Sequence, residues 1–263
     1  MSATLRRDDE LAIEQLPDML NGQPHERARV ILAAARSGEL EAQVLLGQIL
    51  LNGDGIERDP KLALTWFRIC AQRGSAMASN MLGRCHEHGW GCAVDLPAAA
   101  GYYHQAAAQE LDWGQYNLAN LYATGRGVPR DPALAFQLYR RAAEQGHAKS
   151  MNLVGRCYEE GLGVAANPTT ALLWYQRSAQ GGDFRGQFSY AGMLAAQGQI
   201  AEAESWLQRA LQSGNLNFLR VARGTLQQAP DERLRNLALA YHQRAAELGD
   251  DSDQQVLANY LNP

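Results

Sequence analysis

The stretch GRGVPRDP, Gly125–Pro132, decides how the whole chain is read. Two glycines flank one residue, an apolar residue follows, and an aspartate stands directly before a proline. Glycine takes left-handed backbone without steric cost and so ends helices. Aspartate caps helix N-termini, and proline fits the first helical position, where its missing N–H is not needed. The stretch therefore predicts a helix end, a tight turn and a new helix start. It has three counterparts, GDGI at Gly53, GWGC at Gly89 and GLGV at Gly161, so the turn recurs every 36 residues.

Other columns obey the same step. Gly47, Gly83, Ala119, Gly155 and Ala191 are all small. Asp59, Asp95, Asp131 and Asn167 are all capping types, and Pro60, Pro132 and Pro168 follow three of them. The second repeat departs, with Leu96 there and Pro97 one place later. Ala63, Ala99, Ala135 and Ala171 are identical, and Phe67, Tyr103, Tyr139 and Tyr175 are all aromatic. Each unit reads as a helix pair, with helix A over Glu39–Asn52 and helix B over Pro60–Arg73 in the first copy. Small residues let the two helices approach, and the aromatic column is expected to fill space between neighbouring units. The apolar turn residue (Ile56, Cys92, Val128 or Val164) is expected to fold back onto the pair.

The expected architecture is all-α, one repeat domain over residues 1–263. Capping helices occupy residues 1–38, including Asp8–Leu20. Four regular repeats span residues 39–182, and a fifth, residues 183–214, has lost about four loop residues. Residues 215–263 form an atypical sixth repeat, with DERL at Asp231 as a cap, and a final helix over Asp253–Leu261. If the fifth repeat is a cap, deletion beyond Gln197 leaves a soluble fragment; aggregation would mean that the later helices shield apolar surface.

The columns resemble the Sel1-like repeat family, relatives of tetratricopeptide repeats. NLANLYATGRGVPRDPALAFQLYRRAAEQG, from Asn117, follows that consensus apart from Ala119 and Leu138. The resemblance covers about Glu26 to Gly249. It implies a right-handed solenoid of antiparallel helix pairs whose A helices line a concave face, in proteins that mostly scaffold or regulate others. Fold resemblance alone does not identify a function.

RCHEHGWGC, Arg84–Cys92, carries metal-binding letters. Yet Cys85 shares its column with Ile49 and Leu121, and Cys92 with Ile56 and Val128, so both read as small buried hydrophobes. Cys70 shares a column with Ala106 and Ala142. A satisfied repeat turn is favoured over a metal site. A cysteine-rich branch of the family pairs its cysteines in each repeat, but no regular pair recurs here, which favours free thiols. The Gly-x-Gly turns lack the strand context of phosphate cradles. Glu87, Glu159 and Glu160 end helix A and read as a solvated face. No catalytic constellation, cofactor or metal site is expected.

The varying columns of helix A carry the functional signal. Residues three or four apart share a helix face, which groups Asn80, Arg84, Trp113, Tyr116, Asn120, Lys149, Asn152, Arg156 and Arg185 as a candidate partner-binding strip. Asn amides can bond an extended backbone, Arg can grip carboxylates, and Trp and Tyr suit interface hot spots. The expectation is a non-enzymatic adaptor for an extended or partly acidic segment of another protein. The alternatives are a regulatory subunit of a partner enzyme, and a cell-wall-related or β-lactam-type hydrolase or small-molecule binder, as linked to cysteine-rich relatives. The net charge of −4 gives no nucleic-acid footprint. No apolar run reaches the length of a membrane span. The start lacks an export signal, so a cytoplasmic location is expected, and family and composition suit a bacterium.

Overall fold

The computed structural model describes residues 23–262. These form fourteen helices, with no strand among the described residues. The helix expected over Asp8–Leu20 lies outside them. The helices fall into two compact units, one ending at Arg130 and the other starting at Asp131.

The first unit holds α1 (Pro24–Arg36), α2 (Leu40–Asn52), α3 (Pro60–Gln72), α4 (Ala76–His88), α5 (Leu96–Ala108) and α6 (Asp112–Thr124). Its connections follow the predicted chemistry. Gly53, Gly89 and Gly125 end helices α2, α4 and α6 in left-handed backbone, each N–H donating to a carbonyl one turn back. Asp59 and Asp95 cap the next helices by accepting from Leu62 and Ala98 N–H at 2.9 Å. The second turn glycine has a different task. Gly91 and Gly127 also have positive φ, and a Cβ on either would collide with the first residue of the preceding B helix, Pro60 or Leu96. Gly55 meets Pro24 in the same way. This glycine is thus where one repeat seats on the one before it.

The small and aromatic columns meet within a repeat. The ring of Phe67 lies where a Cβ on Gly47 would be, and Tyr103 lies likewise on Gly83. This corrects the expectation that the aromatic column fills space between units: the ring first closes its own helix pair. Phe67 and Tyr103 are both fully buried. Ile56 and Cys92 do fold back onto the core, half-buried against it.

The second unit holds α7 (Pro132–Glu144), α8 (Ala148–Glu160), α9 (Pro168–Gln180), α10 (Phe184–Ala196), α11 (Ile200–Ser213), α12 (Leu216–Gln227), α13 (Glu232–Leu248) and α14 (Asp251–Leu261). It repeats the same devices: Gly163 against Pro132, and Tyr175 on Gly155. The shortened fifth repeat joins α10 to α11 through residues 197–199 alone. One continuous core runs from Ala171 on α9 to Ala245 on α13, so the helices after Gln197 cover apolar surface of α9 and α10.

The last helix is clasped by charge. Asp253, 1% exposed, accepts from Arg220 Nε at 3.0 Å and Arg223 at 3.2 Å, both on α12. His242 on α13 stacks on Tyr260 of α14 at 4.4 Å. Arg220 holds the Asp253 carboxyl below its ordinary range, and burial lowers His242, helped by the nearby Arg223 charge. A group whose pKa is depressed by folding stabilises the fold above its unfolded pKa and stops doing so as pH falls through its folded value. The His242 contribution therefore fades first, below about pH 6.5, and that of Asp253 below about pH 4. Amide protection of α14, measured against the unfolded-chain exchange rate at each pH, is expected to fall as pH is lowered across that window. Asp253→Asn should lower that protection at neutral pH, by roughly tenfold or more, because the two arginines lose their buried partner.

Candidate functional site

In the first unit the candidate residues lie on α4 and α6. Asn80 is 3% exposed, and its Oδ1 accepts from Asn117 Nδ2 at 2.8 Å. It is thus a bridge between successive A helices, not an open backbone-binding amide. Asn117 stands 37 residues after Asn80, one position off the repeat column, and a comparison at a step of 36 does not register it. Arg84 lies over the Trp90 ring, 4.9 Å from its centroid, and His88 tilts against the same ring at 4.7 Å. Trp90, beyond the helix end, returns toward Arg84 through the left-handed turn at Gly89. The cation lies over an aromatic face, an attraction of about 0.5–1 kcal/mol at a partly exposed site. Trp113 is exposed and meets Tyr116 edge-to-face at 6.0 Å. Asn120 is half-buried one turn beyond Tyr116 on α6. Arg84 and Trp90 thus form one pair and Trp113 and Tyr116 another, with Trp113 open to solvent.

In the second unit the candidates lie on α8 and α10. Lys149 and Arg185 are exposed, and the Arg185 guanidinium lies over Phe184 at 4.8 Å. Arg156 is exposed but pairs with Glu160 at 2.8 Å along the same helix, so a partner carboxylate would have to displace that pair. Asn152 is 8% exposed, and its Oδ1 has no hydrogen-bond partner among the described residues.

Two of the three glutamates expected on a solvated face hold buried tyrosine hydroxyls. Glu87 accepts the Tyr103 hydroxyl at 2.7 Å and pairs with Arg126 at 3.0 Å, its side chain 13% exposed. Glu159 accepts the Tyr175 hydroxyl at 2.6 Å. Each anchors the ring that covers its own repeat's glycine. Glu159 and Glu160 are both exposed, as expected, Glu160 in its pair with Arg156; Glu87 is the one drawn in from solvent.

The Cys–His stretch resolves into packing. Cys85 is fully buried, and burial pushes its thiol up to about 12; Cys157 is pushed up to about 11 in the same way. Burial also raises Cys70 and Cys92. All four cysteines are free thiols, and none is poised as a thiolate. His86, in a tyrosine column, stacks on Tyr102 at 5.3 Å. Among the described residues no three His, Cys, Asp or Glu side chains converge as metal ligands. Nor is any helix among them long and apolar enough to cross a membrane.

Fold and site define an all-α repeat protein that presents side chains on stacked A helices. The model of the Sel1 repeat matches residues 40–75, 76–111, 114–147, 148–183 and 228–250, and the chain belongs to the Sel1 repeat family. The fifth pair, α10 and α11, falls between the matched segments. The chain is 36% identical over 83 residues to the ERAD-associated E3 ubiquitin-protein ligase component HRD3B of Arabidopsis thaliana, covering 31% of this chain and 14% of that protein. HRD3A of the same plant is 35% identical over 83 residues, covering 31% of this chain and 12% of that protein. The chain thus spans a small part of these relatives' length. A Sel1 repeat protein from Oxalobacter formigenes shares the fold at TM-score 0.73 and 25% identity, covering 93% of this chain and all of that one. The protective antigen c5321 of uropathogenic Escherichia coli does so at TM-score 0.65 and 25% identity, covering 94% of this chain and 56% of that one. Sel1 repeat proteins as a class are protein-interaction scaffolds, generally without catalysis of their own.

Proposed function

We propose that this chain is a non-catalytic adaptor that holds an extended, partly acidic segment of a partner protein on the exposed face of its A helices. The observation that carries the reading is the cluster on α4 and α6. There the Arg84 guanidinium lies over Trp90, and Trp113 and Tyr116 present an edge-to-face pair next to the Asn80–Asn117 bridge. Among the described residues no carboxylate pairs with Arg84, so its guanidinium edge is available to one from a partner. Preorganised aromatic and arginine side chains lose little entropy on binding, which is why they dominate interface energetics. Lys149 and Arg185 offer a second set of cations on α8 and α10.

The Arabidopsis relatives are named as components of a ubiquitin ligase, which supports a narrower version in which this chain is a regulatory subunit of a partner enzyme. The test is capture of partners from native cells by the wild-type chain and by Arg84→Glu/Arg156→Glu. Recovery of the principal partner should fall at least tenfold with the double variant. Equal recovery sinks the reading.

A further inference from the structure

The second unit contains a cavity where its helix connections shorten. In the regular repeats seven residues join helix A to helix B, as in residues 53–59, and they insert an apolar residue and a seating glycine. Only residues 197–199 join α10 to α11, and residues 228–231 join α12 to α13. The aromatic ring is missing as well: Leu207 stands in the column of Phe67, paired with Ala191 in the small column. With ring and turn residues removed, a space of about 700 Å³ opens between α10, α11, α12 and α13.

We propose that this cavity binds a compact, uncharged, apolar ligand of the size of a fused aromatic ring system. Its volume lies within the roughly 300–1,000 Å³ usual for small-molecule sites. Its walls are mainly apolar, with Phe188, Ile200, Leu207, Leu226 and Leu234, and Thr225 and Gln228 add uncharged polar groups. Among the described residues no lysine, arginine or histidine lines it, so they offer an anion no counter-charge. Its one carboxylate, Asp231, accepts from Arg233 N–H and caps α13. The walls are fixed in advance. Arg235 donates to the carbonyls of Ala229 at 2.7 Å and Pro230 at 2.6 Å, pinning the short turn. Phe188 meets Phe218 edge-to-face at 5.5 Å, and the buried Tyr241 hydroxyl donates to the Leu207 carbonyl at 2.7 Å. Gly192, inside α10, forms part of the lining, and a Cβ there would meet nothing within 4 Å. A larger side chain at 192 can therefore enter the cavity without disturbing the helix.

The test uses the full chain and the neutral naphthalene dye Prodan. Saturable binding of one equivalent is expected, with a shift of the Ile200 methyl resonance in an isoleucine-labelled sample and none of those of Ile31, Ile49, Ile56 and Ile69. Gly192→Leu should weaken Prodan at least tenfold. Gly101→Leu, at another open helical glycine in the first unit, should leave it unchanged. An unmoved Ile200 methyl at saturating dye, or unaltered affinity in Gly192→Leu, overturns the assignment. Both readouts are independent of partner capture, so this site and the adaptor role stand or fall separately.

Discussion

Replacing Gly91 with alanine should cost about 3 kcal/mol, although it adds one methyl group. Two penalties combine. Gly91 has φ +74°, and left-handed backbone costs a residue with a Cβ about 1–2 kcal/mol. The added Cβ also collides with the carbonyl of Pro60, part of the backbone of the preceding B helix. A flexible side chain could turn away, but a helix terminus cannot, so the two repeats must separate locally. Repeat arrays draw their stability from nearest-neighbour interfaces, so the damage spreads beyond the turn. Gly101→Ala is the control: it lies in helix α5 with nothing within 4 Å of its Cβ position, and should gain about 0.5–1 kcal/mol from helix propensity. Urea denaturation of the two variants beside the wild type measures the contrast.

Tyr103→Ala should be as damaging, at about 3–5 kcal/mol, since it deletes a fully buried ring that fills the notch over Gly83. The more informative substitution is Tyr103→Phe. It keeps the ring but deprives Glu87 of the hydroxyl it accepts from, at a cost of about 1.5 kcal/mol for a hydrogen bond to a charged group. The first repeat shows another solution to the same position: Phe67 accompanies Leu51, where the second has Tyr103 with Glu87. The double variant Tyr103→Phe/Glu87→Leu should therefore recover to within about 1 kcal/mol of wild type, the remainder being the half-exposed Arg126 pair. If the double variant is instead as unstable as the sum of the two single variants, the ring and its carboxylate are not a coupled pair. Thermal melts of the four proteins give the cycle.

The fold was legible because its cause is local and repeated. Glycines that must take positive φ, capping aspartates and prolines at the first helical position each declare themselves in sequence, and a fixed step multiplies the signal. Contacts that leave the repeat column were hidden. Asn80 bonds Asn117 at an offset of 37, so a residue that looked available for a ligand is engaged. Glu87 looked solvated because a helix end usually is, but its partner arrives from helix B of the same repeat. Arg84 stood out as a column variant, whereas the ring that holds it, Trp90, lies past the helix end. The shortened fifth turn was visible as missing letters. The space it leaves depends on where α12 and α13 settle, and no column records that.

The adaptor role is tested most directly by a benzoyl-phenylalanine photocrosslinker placed at position 113 in native cells, with the same group at position 62 for comparison. Trp113 lies on the A-helix face beside Tyr116, and Leu62 is exposed on the B helix α3. A specific crosslinked partner is expected from position 113 and none from position 62. A partner captured from position 62 and not from position 113 would contradict the account.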